Sequence, residues 1–139
     1  MLPVVLALLA TVFLLISMGF FALGSLPLLV LKHDTPLDAR FIRGLFAVYY
    51  GAVKITAAAA AIAYALAEKP AFALGMTCVV ALAFTLRRTV VPRMDQLRAT
   101  MSATDAAGIT RFRRLHIGGM LFNVIQLGTV AWGLTYLKL

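Results

Sequence analysis

The stretch YYGAVKITAAAA places a lysine, Lys54, at the centre of an apolar run covering residues 41–67. An ammonium group there could attract an anion, relay a proton or act as a hydrogen-bond donor. It stands about 13 residues, or about 20 Å, from either end of its run, whereas its own stem reaches only about 6 Å. Burying such a group at the centre of a membrane helix costs about 2.5–3.5 kcal/mol on insertion scales. The sequence therefore predicts that Lys54 faces a bundle interior, a wet cavity or a partner. By depth along the apolar runs, Ser17, Thr77, Asn123 and Gln126 share its level, and Tyr50 lies one turn before it. The acids Asp34, Asp38, Glu68, Asp95 and Asp105 all fall nearer the ends of the runs. The expected site is thus a midplane polar cluster of Ser17, Lys54, Thr77, Asn123 and Gln126 without a carboxylate. It would serve either as a hydrogen-bonded anchor that orients a bundle or as a solute or proton path.

LHIGGMLFNVIQLG carries the second polar signal. His116 and Asn123 are two helical turns apart and share a face, with Gly119 between them and Gln126 extending it. Glycines such as Gly118 and Gly119 let a neighbouring helix approach closely, and an asparagine can bond across the gap. This face reads first as a packing seam and second as a ligand site, where histidine raises haem or metal. The other histidine, His33, would lie at the same side of the membrane as His116, so a two-histidine site at that surface is the only pairing the topology allows. A pair on opposite faces is excluded. Two histidines without HExxH-like spacing are a weak metal signal, and no cofactor is predicted. Ser-His-Asp sets, carboxylate pairs and phosphate-cradling glycine loops are missing from the sequence; GSLP and GAVK do not fit the P-loop pattern. The case for an enzyme is therefore weak.

These residues need elements to hold them. Of the 139 residues, 63% are hydrophobic and 13% charged, with a mean hydropathy of +0.97. Soluble domains are nearer half apolar and a quarter charged, so this is an integral membrane protein of one domain. The lone Cys78 supports no disulfide framework. Spans are expected at about 2–31, 41–67, 70–91 and 111–137, each long enough for about 30 Å of hydrocarbon. The first lacks a basic n-region and is too long for a signal peptide, so it is read as a retained helix. The fold class is all-α, an antiparallel transmembrane four-helix bundle with short loops.

The net charge of +8 would suggest nucleic acid in a soluble protein; in this setting it reports topology, and no nucleic acid is expected. Ten of the thirteen lysines and arginines flank the first and third loops, Lys69 and Lys138 lie on the other side, and Lys54 lies between. The positive-inside rule puts loops one and three in the cytoplasm and both termini outside it, in a bacterial inner membrane. Arg87, Arg88, Arg111, Arg113 and Arg114 form a juxtamembrane cluster suited to anionic lipid headgroups. TPLD reads as a helix start, with Thr35 as the cap and Asp38 three residues on. SATD pairs Ser102 with Asp105 in the same spacing. Helices three and four are therefore expected to run beyond the bilayer as a cytoplasmic hairpin, with Pro92 kinking or breaking its first arm.

Two segments together, GFFALGSLPLLVLKHDTPLDARFIRGLFAVYYG and VVPRMDQLRATMSATDAAGITRFRRLHIGGMLFNVIQLG, resemble the bacterial relatives of the TMEM205 family, small four-span proteins carrying the domain called DUF4149. The features that carry the likeness are the Pro92-Arg93-Met94 step, Arg98, Phe112 and the Leu115-His116…Asn123 run. The family pattern has a serine where this chain has Gly118 or Gly119, so the resemblance assigns no partner to His116. It implies a four-helix membrane protein and no particular reaction. The functional expectation is an accessory or assembly subunit of a membrane complex, with a membrane-protein partner or a second copy of the chain. The alternatives are a small transporter or channel component using Lys54, and a haem- or metal-binding protein using His33 or His116.

Overall fold

The structure, a computed structural model, describes residues 1–30, 36–102 and 104–137. They form four helices: α1 Leu2–Val30, α2 Pro36–Leu66, α3 Pro70–Thr100 and α4 Ala106–Leu134. All four are long and apolar enough to cross a membrane. Each packs on its neighbours in sequence and α4 closes the ring on α1, with α2 the most closely packed member. Short connections between consecutive packed helices make their directions alternate. One end of the bundle therefore holds both termini and the 67–69 turn. The other, the basic end, holds the connections after α1 and α3.

Burial repeats at alternating intervals of three and four residues. On α1 the buried positions are Ala7, Thr11, Leu14, Met18, Phe21 and Ser25. On α2 they include Ile42, Phe46, Tyr50, Val53, Ala57, Ala60 and Tyr64. A 3.5-residue repeat is the seam of helices packed nearly parallel to one another, as in four-helix bundles. Residues off the seam, such as Phe13, Phe20 and Ile55, are exposed. In a membrane protein their apolar side chains face lipid.

The helix ends follow local chemistry, with two departures from expectation. Asp105, not Ser102, caps α4: its carboxylate accepts from the Gly108 amide at 2.9 Å. Ser102 instead meets the Thr104 hydroxyl at 3.1 Å. Asp105 wins because an ionised side chain is the stronger acceptor for an orphan amide. Pro92 does not break α3, which runs unbroken to Thr100. Proline removes one backbone bond, and neighbouring packing holds the helix through it. The Thr35 cap lies outside the described residues. The outer turn closes with Glu68 at φ 57°. The Glu68 amide donates to Ala65 O and that of Lys69 to Tyr64 O, the paired bonds of a Schellman ending. At the basic end α3 and α4 extend well past residues 91 and 111, as the hairpin reading requires.

Phe46 of α2 lies over Gly119 of α4. A Cβ added at Gly119 would fall 2.6 Å from Phe46 Cζ, whereas one at Gly118 would meet nothing within 4 Å. Gly119→Ala should therefore lower thermal stability in detergent by roughly 1–3 kcal/mol, the usual penalty of overpacking. Gly118→Ala should be neutral or slightly stabilising, because alanine is the better helix former. Phe46→Leu should recover part of the Gly119→Ala loss. Equal melting temperatures for the two alanine variants would refute this account of the seam.

Candidate functional site

The polar residues expected at one level fall into two separate places. Asn123 and Gln126 occupy the buried seam of α4 with His116, Gly119 and Met120. Here they face Tyr49 from α2, whose hydroxyl donates to Gln126 Oε1 at 3.4 Å. The same hydroxyl faces Asn123, although neither polar atom of the Asn123 carboxamide reaches hydrogen-bond geometry. Tyr49 is held by Phe21 of α1, stacked at 4.1 Å and 20°. His116 is fully buried and lies edge-on to Phe46 at 5.8 Å. Nearer the other end, Thr11 and Tyr64 meet at 3.2 Å, and Thr11 also donates to Ala7 O. The interior is thus an aromatic and amide core that ties α1, α2 and α4.

Ser17 and Thr77 do not join it. Each folds its hydroxyl back on its own helix, Ser17 to Phe13 O and Thr77 to Ala73 O, both at 2.8 Å. Such a bond satisfies a hydroxyl without a tertiary partner, so neither needs the interior. His33 lies outside the described residues. Among the described residues no group of three or more His, Cys, Asp or Glu side chains is arranged to hold a metal.

Lys54 stands on the opposite flank of α2, half-buried in a groove between α2 and α3 of about 630 Å³. Arg43, Ala47 and Lys54 line it from α2; Phe84, Arg87, Arg88, Val91 and Asp95 line it from α3. The spacing explains this: residues 43, 47, 51 and 54 recur at intervals of four, four and three, one stripe of the helix. Gly51 lies in that stripe, and a Cβ there would sit 3.8 Å from Arg87 Nη1. The groove opens to the side, since Phe84, Arg87 and Arg88 are exposed.

Its charges are unevenly matched. Asp95 accepts from Arg43 Nε and Nη2 at 2.9 and 2.8 Å, a bidentate pair across the two helices. It also accepts from Arg98 at 3.2 Å, so both its oxygens are engaged. Lys54 lies 5.9 Å from the centre of the Phe84 ring and the Arg88 guanidinium 4.3 Å from it. Among the described residues no carboxylate stands within ion-pair distance of Lys54, Arg87 or Arg88. The cations expected nearer the hairpin are placed differently. Arg113 donates to Leu29 O at 2.9 Å and so caps the end of α1, while Arg111 and Arg114 line a separate groove with Arg93. Sequence reasoning missed the roles of Arg43, Tyr49, Phe84 and Asp95. The stripe spacing and the one acid inside a basic helix arm were the available signals.

No family model, no curated protein and no solved structure matches this chain.

Arg43, Asp95 and Arg98 have side chains about one-third exposed or more, so water and salt screen them. Asp95→Asn should lower the melting temperature by an amount worth about 1 kcal/mol or less. The loss should shrink as salt is raised. It should also be smaller when Arg43 is already glutamine, because the bidentate partner is then gone. Equal losses in the two backgrounds would show that the pair does not couple α2 to α3.

Proposed function

We propose that this chain is an accessory integral membrane protein, without a reaction of its own, that works through the cationic groove between α2 and α3. One observation carries the reading: Lys54, Arg87 and Arg88 converge on a single laterally open groove whose one lining carboxylate, Asp95, pairs with Arg43 and Arg98 instead, and among the described residues no carboxylate lies within ion-pair distance of the three. Ionisable residues at membrane depth mark function by default, and a side-facing opening suits something that arrives in the plane of the bilayer. Lys54 lies on this lateral surface, whereas a transport path would draw on the interior; that favours the accessory role over a transporter or channel. His116, packed against Phe46, favours a seam role over haem or metal binding. The likeness to the TMEM205 family accords with this reading, since it implies a four-helix bundle and no particular reaction. The charge asymmetry supports a bacterial inner-membrane location with the basic end in the cytoplasm.

Sidedness is tested by reporters fused after Leu139, which should show periplasmic activity; cytoplasmic activity would reverse the orientation. The groove is tested in cells with a photoreactive residue at Ala47, which lines it, and at Ile55, which is exposed on another face of α2. A defined adduct should form at Ala47 and disappear when Lys54 and Arg88 are both replaced by glutamate. Adducts at Ile55 should not respond. If Ala47 yields no adduct, or one indifferent to those charges, the groove is not the working surface.

A further inference from the structure

We infer that the α2–α3 groove is a binding site for the phosphate of an anionic membrane lipid, with Lys54, Arg87 and Arg88 as its cationic ligands and Phe84 against the adjoining glycerol and chain. The inference rests on the groove being the working surface and names what occupies it.

Depth comes first. At 1.5 Å per residue the 31 residues of α2 and of α3 each extend about 46 Å, roughly 16 Å more than the hydrocarbon is thick. The charged Glu68–Lys69 turn bounds the hydrocarbon at one end. About 20 residues counted from that turn reach near residue 47 on α2 and near residue 90 on α3. Arg87 and Arg88 therefore stand within a turn of the boundary at the basic end. Lys54 is about seven residues, or about 10 Å, inside it. Cα–Cβ bonds tilt towards a helix N-terminus, which turns Lys54 of α2 towards the basic end and Arg87 and Arg88 of the antiparallel α3 inwards, so Lys54 and Arg88 meet beside Phe84, 5.9 and 4.3 Å from its ring centre. By this count the three cations lie about 3–10 Å inside the boundary at the basic end, just below the phosphate layer and beside the glycerol and the start of the chains.

Charge and shape agree with that occupant. Arg43, Lys54, Arg87 and Arg88 against the single carboxylate of Asp95 give the groove a net charge of +3, and the two oxygens of Asp95 are taken by Arg43 and Arg98. Cations from two helices flank one ring, Phe84, which is 45% exposed. That combines a phosphate-binding fork with an apolar wall at the level where chains begin. Arginine binds phosphate through its planar donor fork, and lysine adds a point charge. Ala47 and Gly51 beneath them are small, which leaves room between the helices.

The test uses the full chain in mild detergent, with native mass spectrometry and thermal shift as readouts. The probes are phosphatidylglycerol, phosphatidylcholine and inorganic phosphate. Phosphatidylglycerol should be retained in preference to phosphatidylcholine. Lys54→Gln and Arg88→Gln should each weaken retention about fivefold, and the pair about thirtyfold, on the basis of the usual contribution per cation. Lys54→Arg should retain binding, which separates charge from folding. Arg111→Gln with Arg114→Gln, outside the groove, should change retention much less. Equal loss in that control would overturn the site in favour of diffuse charge. Inorganic phosphate displacing the lipid at equal concentration would overturn the lipid as occupant in favour of a free phosphate. A charge-dependent Ala47 adduct to a polypeptide, with lipid retention unaffected by Lys54→Gln and Arg88→Gln, would overturn this inference while leaving the groove as the working surface.

Discussion

Hydrocarbon offers no hydrogen bonds, so each polar atom placed in it must be satisfied by protein or must reach the boundary. Two solutions coexist in this bundle, one on each side of α2. Towards the interior the solution is partial: Tyr49 donates to Gln126 and aromatic rings from α1 and α2 fill the remaining space, while the Tyr50 hydroxyl and the Asn123 carboxamide are buried without a hydrogen bond. Towards α3, Lys54 stands in the groove that Arg87 and Arg88 line from the facing helix, with the small residues Ala47 and Gly51 in the same stripe of α2. The partition follows from azimuth: Tyr50 and Val53 point to the core, and the next residue, about 100° further round, cannot do so as well.

This makes α2 the helix on which the others depend. Its seam carries Phe46, which needs the absent side chain at Gly119 to bring α4 close, and Tyr49, which stacks on Phe21 to fix α1. Its other flank carries Arg43, joined to α3 through both oxygens of Asp95. The apolar seam works within the bilayer and the ion pair works at the basic end, where water makes the charges affordable. Arg113 adds a bond from α4 to the last turn of α1 at that same end. Charged fastening is thus placed where the helices extend past the hydrocarbon, and within the bilayer packing is joined only by the neutral pairs Tyr49–Gln126 and Thr11–Tyr64 among the described side-chain bonds between helices.

The four helices were legible in the sequence because hydropathy and length are strong, local signals. The hairpin extension was legible from SATD and the arginines, although the cap fell on Asp105. Gly119 could be picked as a packing glycine because it shares a face with His116 and Asn123; Gly118, one residue away, points elsewhere. The polar cluster was less legible. Depth alone grouped Lys54 with Ser17, Thr77, Asn123 and Gln126, but contact also requires a shared azimuth, and the hydroxyls of Ser17 and Thr77 are satisfied by their own helices. Pairing of Arg43 with Asp95 spans 52 residues and depends on how α2 and α3 dock, which no local pattern encodes.

The positive-inside rule explains why arginines and lysines gather at one end, but it counts charges and is indifferent to where each one points. The topology would be served equally by cations spread around the bundle. Here Arg87 and Arg88 lie beside Lys54, with Arg43 in the same groove, although like charges brought together repel. Repulsion of this kind is tolerated when an anion offsets it, and Asp95 is paired with Arg43 and Arg98 rather than with Lys54, Arg87 or Arg88. Lys54 sharpens the point, since orientation in the membrane does not require a cation so far inside the hydrocarbon. An anion from the bilayer would offset all three cations at once, and the phosphate layer of the membrane supplies that charge within about 10 Å of each of them.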